Sequence, residues 1–94
     1  MTTWEIHITY GQTAFKLNTV VEYHSNQIMR IRVHGSKSSL LLENNYPLLR
    51  SSNSRKGIQW KLREGSIKEG NTENSRLLLH IMEQLEYHIK KEFP

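Results

Sequence analysis

Hydrophobic and polar residues alternate along the first part of the chain with a period of two. From Trp4 to Tyr10 every second side chain is apolar or aromatic, and the residues between them are polar. Such alternation, rich in β-branched and aromatic residues, is typical of a strand that is buried on one face. The pattern recurs and predicts strands at about residues 4–10, 14–24, 28–34, 39–43 and 58–63, with a short sixth strand possible at 66–68.

The short polar segments between these strands indicate antiparallel hairpins. Gly11 begins a two-residue turn of the type II′ class, and pairing Tyr10 with Thr13 across it places Ile8 opposite Phe15. Apolar side chains then meet apolar side chains on one face, so this register is self-consistent.

The turn at residues 25–27 predicts a second hairpin. A three-residue loop places Tyr23 opposite Met29, so that both side chains point inward. It also places Glu22 opposite Arg30 on the outward face, where the two would form an exposed cross-strand ion pair.

The fourth strand can pair Leu40 with Val33 and Leu42 with Ile31, although the run of three leucines at 40–42 fits either phase. We expect the inward face of the sheet to be almost wholly apolar. Its predicted members are Trp4, Ile6, Ile8, Phe15, Leu17, Val21, Tyr23, Met29, Ile31, Val33, Leu40, Leu42, Ile58, Trp60 and Leu62.

The period of the pattern changes near the C-terminal end of the sequence, where apolar residues recur at helical spacing. This predicts an amphipathic helix over about residues 72–92. Its apolar arc consists of Leu77, Leu78, Ile81, Met82, Leu85 and Ile89. The whole pattern predicts an α+β fold in a single domain over residues 1–94: an antiparallel β-meander of five to six strands, with one C-terminal amphipathic helix packed on one face.

Composition narrows the chemistry that such a domain can perform. The chain has no cysteine, and all nine of its acidic residues are glutamates. Cysteine nucleophiles, disulfides and sites built on aspartate are therefore excluded. We expect no metal and no cofactor, and also no membrane association, because no apolar run approaches the roughly 20 residues that span a bilayer. The absence of a secretory signal and of cysteine favours a cytoplasmic location.

Basic residues concentrate in the middle of the sequence, where residues 28–63 hold eight of the 13 lysines and arginines but only one glutamate. Clustered basic residues are typical of surfaces that bind phosphates. The candidate anion-binding residues are Arg30, Arg32, Arg55, Lys56, Lys61 and Arg63. A solvated face with a basic bias fits the pattern as well, because the aromatic residues that would stack on bases are phased inward.

A long irregular connection is predicted at residues 44–57. Its adjacent leucines, Leu48 and Leu49, either fold back to seal one end of the core or present an apolar contact to a partner. Apolar residues also fall on the outward sheet face, where Val20 and Leu41 flank Arg32. Either the loop with Leu48 and Leu49 or another subunit would cover them, and the second case points to a homodimer. The candidate protein-contact residues are Tyr46, Leu48, Leu49, Val20 and Leu41.

Catalytic motifs are absent from the sequence. The histidines His80 and His88 lie two helical turns apart, too far to share one metal ion, and no serine occupies a nucleophile elbow. The interpretation that fits best is a small non-catalytic interaction module that acts through its outward sheet face and the loop at 46–56. It would bind a protein partner or a second copy of itself. Binding of nucleic acid or another polyanion through residues 28–63 is the alternative.

Overall fold

The computed structural model describes residues 2–10, 12–35, 39–52, 56–65 and 72–93, and within these ranges it omits the side chains of residues 10, 13, 15 and 72–75. Two of the expectations fall outside the described residues, namely the sixth strand at 66–68 and the position of Arg55. The elements in chain order are β1 (Thr3–Tyr10), β2 (Thr13–His24), β3 (Met29–His34), β4 (Ser39–Asn44), α1 (Tyr46–Ser51), β5 (Trp60–Glu64) and α2 (Thr72–Glu92).

The five strands form one antiparallel sheet in the order β1-β2-β3-β4-β5, so each strand pairs with its neighbours in the sequence. This confirms the predicted meander. The first hairpin has the predicted register, in which Tyr10 pairs with Thr13 and Ile8 pairs with Phe15. The register of β4 is also settled, because Leu40 pairs with Val33.

The end of β2 differs from the prediction because the strand contains a bulge. The β2–β3 register shifts between Val21 and Tyr23, so that Tyr23 pairs with Arg30 and His24 pairs with Met29. An extra residue in one strand reverses the side-chain alternation beyond it. Tyr23 is therefore 48% exposed instead of inward, and the predicted pairing of Glu22 with Arg30 is wrong.

The core lies between the inner face of the sheet and α2, as predicted. Its fully buried centre includes Ile6, Ile31 and Leu42 from the sheet and Leu85 and Ile89 from the helix. Burial of each such side chain stabilises the fold by about 1.5–3 kcal/mol. The arc predicted on the helix therefore faces the sheet, with Leu77, Leu78 and Met82 packed at its margins.

Two contacts show how α2 lies across the sheet. On the β1 side, the ring of His88 stacks on Trp4 with 5.7 Å between centroids. On the β5 side, Trp60 donates a hydrogen bond from Nε1 to Oε1 of Glu86 at 2.9 Å. The helix therefore reaches both edge strands. Its cover is thinner at β5, where Leu62, predicted inward, is 37% exposed.

The turn that follows β5 depends on a glycine. Gly65 has a φ of +94°, which L-residues with a side chain rarely adopt. A Cβ atom at this position would lie 2.6 Å from Cδ2 of Leu40 and 2.7 Å from the carbonyl oxygen of Ser39. The close approach of this turn to β4 therefore requires glycine.

Candidate binding surfaces

The outer face of the sheet, which is the face turned away from α2, is centred on Arg32. In the register, Arg32 lies between Val20 on β2 and Leu41 on β4, as the sequence predicted. Its guanidinium donates hydrogen bonds to the carboxylates of Glu22 on β2 and, at 2.7 Å, Glu64 on β5. One arginine on β3 thus connects its neighbour β2 with β5, a strand that β3 does not pair with.

These ion pairs change the proton affinity of both partners. The hydrogen bond from Arg32 lowers the pKa of Glu22 below its ordinary value of 4.5. Desolvation raises this pKa, but by less than the hydrogen bond lowers it, and the electrostatic effects of Arg32 and His34 lower it further. The hydrogen bonds to Glu22 and Glu64 raise the pKa of Arg32. Glu22 and Arg32 are therefore both charged at neutral pH.

A second charge cluster on the outer face surrounds Glu43. Arg30 donates a hydrogen bond from Nε to Oε1 of Glu43 at 3.0 Å, and Nε of Arg63 lies 4.0 Å from the same oxygen. The guanidinium of Arg30 also lies 5.2 Å from the ring centre of Tyr23, within the range of a cation–π contact. The outward turn of Tyr23 thus places an aromatic ring beside the arginine.

The predicted anion-binding residues consequently fall into two groups. Arg30, Arg32 and Arg63 lie within 4.0 Å of glutamate carboxylates of the chain itself. Lys56 and Lys61 are exposed, and Lys61 lies opposite Glu43 in the β4–β5 register. An external phosphate would have to compete with three internal carboxylates for the arginines, which weakens the electrostatic attraction of this face.

The two aliphatic residues that flank Arg32 on the outer face present little surface to a partner. Leu41 is only 8% exposed and Val20 is partly buried. Their burial follows from their neighbours, because long charged side chains cover apolar surface with their aliphatic stems while the charged groups stay hydrated. The structure thus places these two predicted contact residues together, beside Arg32, and leaves Leu41 nearly enclosed.

The segment after β4, predicted as irregular, contains the short helix α1. Asn44 accepts a hydrogen bond from the backbone N–H of Tyr46 at 3.0 Å, and Pro47 occupies the first turn, where its missing N–H has no cost. The hydroxyls of Ser51 and Ser52 donate to the carbonyl of Leu48 at the other end. The serine-rich sequence therefore ends the helix after less than two turns.

Within α1, one side of the segment is anchored and the other is open. Pro47 is buried, and Tyr46 packs against the core and donates its hydroxyl to the carbonyl oxygen of Phe93 at 2.7 Å. Leu48 is 47% exposed and Leu49 is partly buried. The two leucines therefore do not seal the core together, since the sealing residues are Tyr46 and Pro47.

A cleft of about 500 Å³ lies beside α1. Its far wall consists of the end of β2, the β2–β3 turn and Phe93, the residue after α2. The rings of His24 and Phe93 meet there edge to face, with 4.9 Å between their centroids. The alternation of residues along β2 predicts His24 on the outward face, and the bulge explains why it instead contacts Phe93. Arg50 also lines the cleft, and none of the described residues that line it is acidic.

The described residues show neither a metal-holding cluster nor a membrane-spanning helix. Within residues 2–10, 12–35, 39–52, 56–65 and 72–93, no group of three histidine or glutamate side chains is arranged to hold a metal ion. Nor is any helix in this part of the chain long and apolar enough to cross a membrane.

The sequence pattern did not predict that the cleft residues His24, Arg50 and Phe93 lie together, because they come from three separate parts of the chain.

Comparisons with protein-family models, with curated proteins and with solved structures find no match to this chain. Its function must therefore be argued from the surfaces described above.

Proposed function

We propose that this protein is a small non-catalytic interaction module that binds a protein partner through α1 and the adjoining cleft. The observation that carries the proposal is the contrast within α1. Tyr46 and Pro47 fix the segment to the core, while Leu48 is 47% exposed beside them. An apolar side chain held outward on an anchored segment loses little conformational freedom on binding, which favours association.

The surroundings of Leu48 support a protein partner. Arg50 follows it on α1, and the cleft adds the rings of Tyr46 and Phe93. Arginine and aromatic side chains around an apolar contact are the residues most enriched at the energetic centres of protein interfaces. A cleft of about 500 Å³ would accept one or two side chains of a partner segment.

The outer sheet face has a smaller role in this proposal than the sequence suggested. Its arginines are engaged with glutamates, and Leu41 is nearly enclosed. For the same reason, polyanion binding through residues 28–63 is the weaker proposal. It would appear as retention on RNA or heparin that falls steeply with salt concentration.

The proposal is tested by placing a photoreactive amino acid at position 48 and, as a matched control, at position 79. Both are exposed leucines on helices, since Leu79 is 57% exposed on α2. We expect crosslinking in cells to give a defined partner from position 48 and not from position 79. The partner is then purified for binding measurements.

With the purified partner, Leu48→Asp should weaken binding by roughly 10-fold or more, the range for an interface centre, while Leu79→Asp should leave it within about 2-fold. Circular dichroism and thermal melting establish that both variants fold. Equal effects of the two substitutions would contradict the proposal, as would a variant of Leu48 that fails to fold, because Leu48 would then belong to the core.

A further inference from the structure

The two edges of the sheet are protected to different degrees. β5 is five residues long, its register with β4 is irregular, and Lys61, Arg63 and Glu64 are exposed along it. Short, irregular, charged edge strands discourage pairing with another chain. β1, at the other edge, is eight residues long and pairs with β2 without any register shift. It contains neither proline nor glycine.

β1 is also held firmly in an extended conformation. Its inward side chains Trp4, Ile6 and Ile8 are all buried beneath α2. An edge strand fixed in this way exposes a ready row of hydrogen-bonding groups, which is the template for strand addition.

The hydrogen-bond pattern shows which groups are available at this edge. The N–H of Val21 donates to the carbonyl of Thr2 at 2.9 Å, which makes residues 2 and 21 a hydrogen-bonded pair. Such pairs alternate along an antiparallel ladder, so the even-numbered residues of β1 bond to β2. The N–H and C=O groups directed to the open edge therefore belong to Thr3, Glu5, His7 and Thr9.

We propose that a second copy of this chain docks along β1, antiparallel to it, to form a continuous ten-stranded sheet. The free backbone groups belong to the odd-numbered residues of β1, so hydrogen bonds between the two copies must join odd-numbered residues of one strand to odd-numbered residues of the other. Paired residues then also have their side chains on the same face of the sheet. The symmetric registers that keep most of β1 paired are centred on Glu5, Ile6 or His7.

The side chains of Glu5 and His7 favour one of these three registers over the other two. A centre at Glu5 would place two glutamates opposite each other, and a centre at His7 would do the same with two histidines. The centre at Ile6 places Glu5 opposite the partner subunit's His7, and the reverse, which is charge-complementary when the imidazole is protonated. Glu5 already lies 2.9 Å from Lys16 and 3.5 Å from His7 of its own chain.

The same register suits the inner face. Ile6 lies beside the partner's Ile6, and Trp4 beside the partner's Ile8, so the two apolar cores adjoin. Residues 3–9 all pair, giving four hydrogen-bonded pairs and about eight backbone hydrogen bonds. This interface uses no residue of α1 or of the adjoining cleft, so it is independent of the proposed partner site.

The first test is the mass of the protein in solution, measured by light scattering over a range of concentrations. We expect a species of twice the 11.1 kDa chain mass. His7→Pro removes an N–H at the open edge without touching the β1–β2 ladder, and should raise the dimer dissociation constant by at least roughly 10-fold. The control is His7→Thr, which retains the N–H and should change the constant by less than about 3-fold.

A second test reads the register and does not depend on the proline variant being folded. The chain has no cysteine, so a single introduced cysteine is the only thiol. A mixture of Glu5→Cys and His7→Cys chains should form heterodimeric disulfides faster than either variant forms homodimers. A monomeric mass at millimolar concentration would overturn the proposal, as would preferential homodimer formation in the disulfide experiment.

Discussion

The inner face of this sheet and the centre of its outer face are both closed to solvent, but by different kinds of interaction. On the inner face, Ile31 and Leu42 are fully buried by the apolar side of α2. On the outer face, Leu41 is 8% exposed, and its neighbour Arg32 is held by two glutamates from other strands. A small domain with one helix packed on its sheet can therefore enclose the centre of the second face with paired charges in place of a second layer. Such cover should be weaker, and it should depend on pH.

The largest effect is expected on the inner face. Ile31→Ala removes part of a side chain with no exposed surface and leaves a cavity between the sheet and α2. The free energy of unfolding should fall by about 2–5 kcal/mol. Urea denaturation followed by tryptophan fluorescence measures this change.

A smaller effect is expected for Leu41→Ala on the outer face. The side chain is nearly as buried, but its neighbours include charged side chains that can move into the space. The loss should be about 2 kcal/mol, the lower end of the range for such substitutions. If the loss equals that of Ile31→Ala in the same denaturation experiment, the two faces are packed equally and the distinction between them fails.

The smallest effect is the acid sensitivity of the outer face. The pKa of Glu22 is lowered in the folded state, mainly by its hydrogen bond with Arg32. Its contribution to stability is therefore complete above the ordinary pKa of 4.5 and is lost as the pH falls through the lower folded value. Glu22→Gln should remove this contribution, so that stability declines less between pH 5 and the acid limit.

Melting temperatures of the wild type and of Glu22→Gln, measured from about pH 7 down to about pH 2, give this comparison. The effect should be small, because exposed ion pairs contribute at most about 1 kcal/mol. The matched control is Glu83→Gln, since Glu83 is an exposed glutamate on α2 with no arginine partner among its described contacts. Parallel pH profiles for the wild type and Glu22→Gln would contradict the assignment.

Much of this fold follows from local pattern alone. The period of two gives the strands, and the change to helical spacing gives α2, because each element needs one face to bury. The pairing of Arg30 with Glu43 also follows once Leu40 is set opposite Val33, since the register then fixes every later pair. That pairing on the outer face could therefore have been predicted.

Other features depend on interactions that no local pattern records. The bulge that turns Tyr23 outward adds one residue to β2. The alternation of apolar and polar residues continues in the sequence, but beyond the bulge each side chain points to the opposite face of the sheet. The ion pair of Arg32 with Glu64 joins residues 32 positions apart, through a strand whose start was predicted at Ile58 and lies at Trp60. The cleft beside α1 combines three elements, so its lining could not be read from any single segment.

The hydrogen bond between the Tyr46 hydroxyl and the Phe93 carbonyl has a consequence for the order in which the surfaces form. It joins residues 47 positions apart and fixes the buried side of α1. During synthesis, the sheet can pair strand by strand as it leaves the ribosome, but α1 lacks this anchor until residue 93 has also emerged. The proposed partner surface would then take its anchored form only after the five strands have emerged, so a chain that stops before residue 93 would lack this anchor of α1.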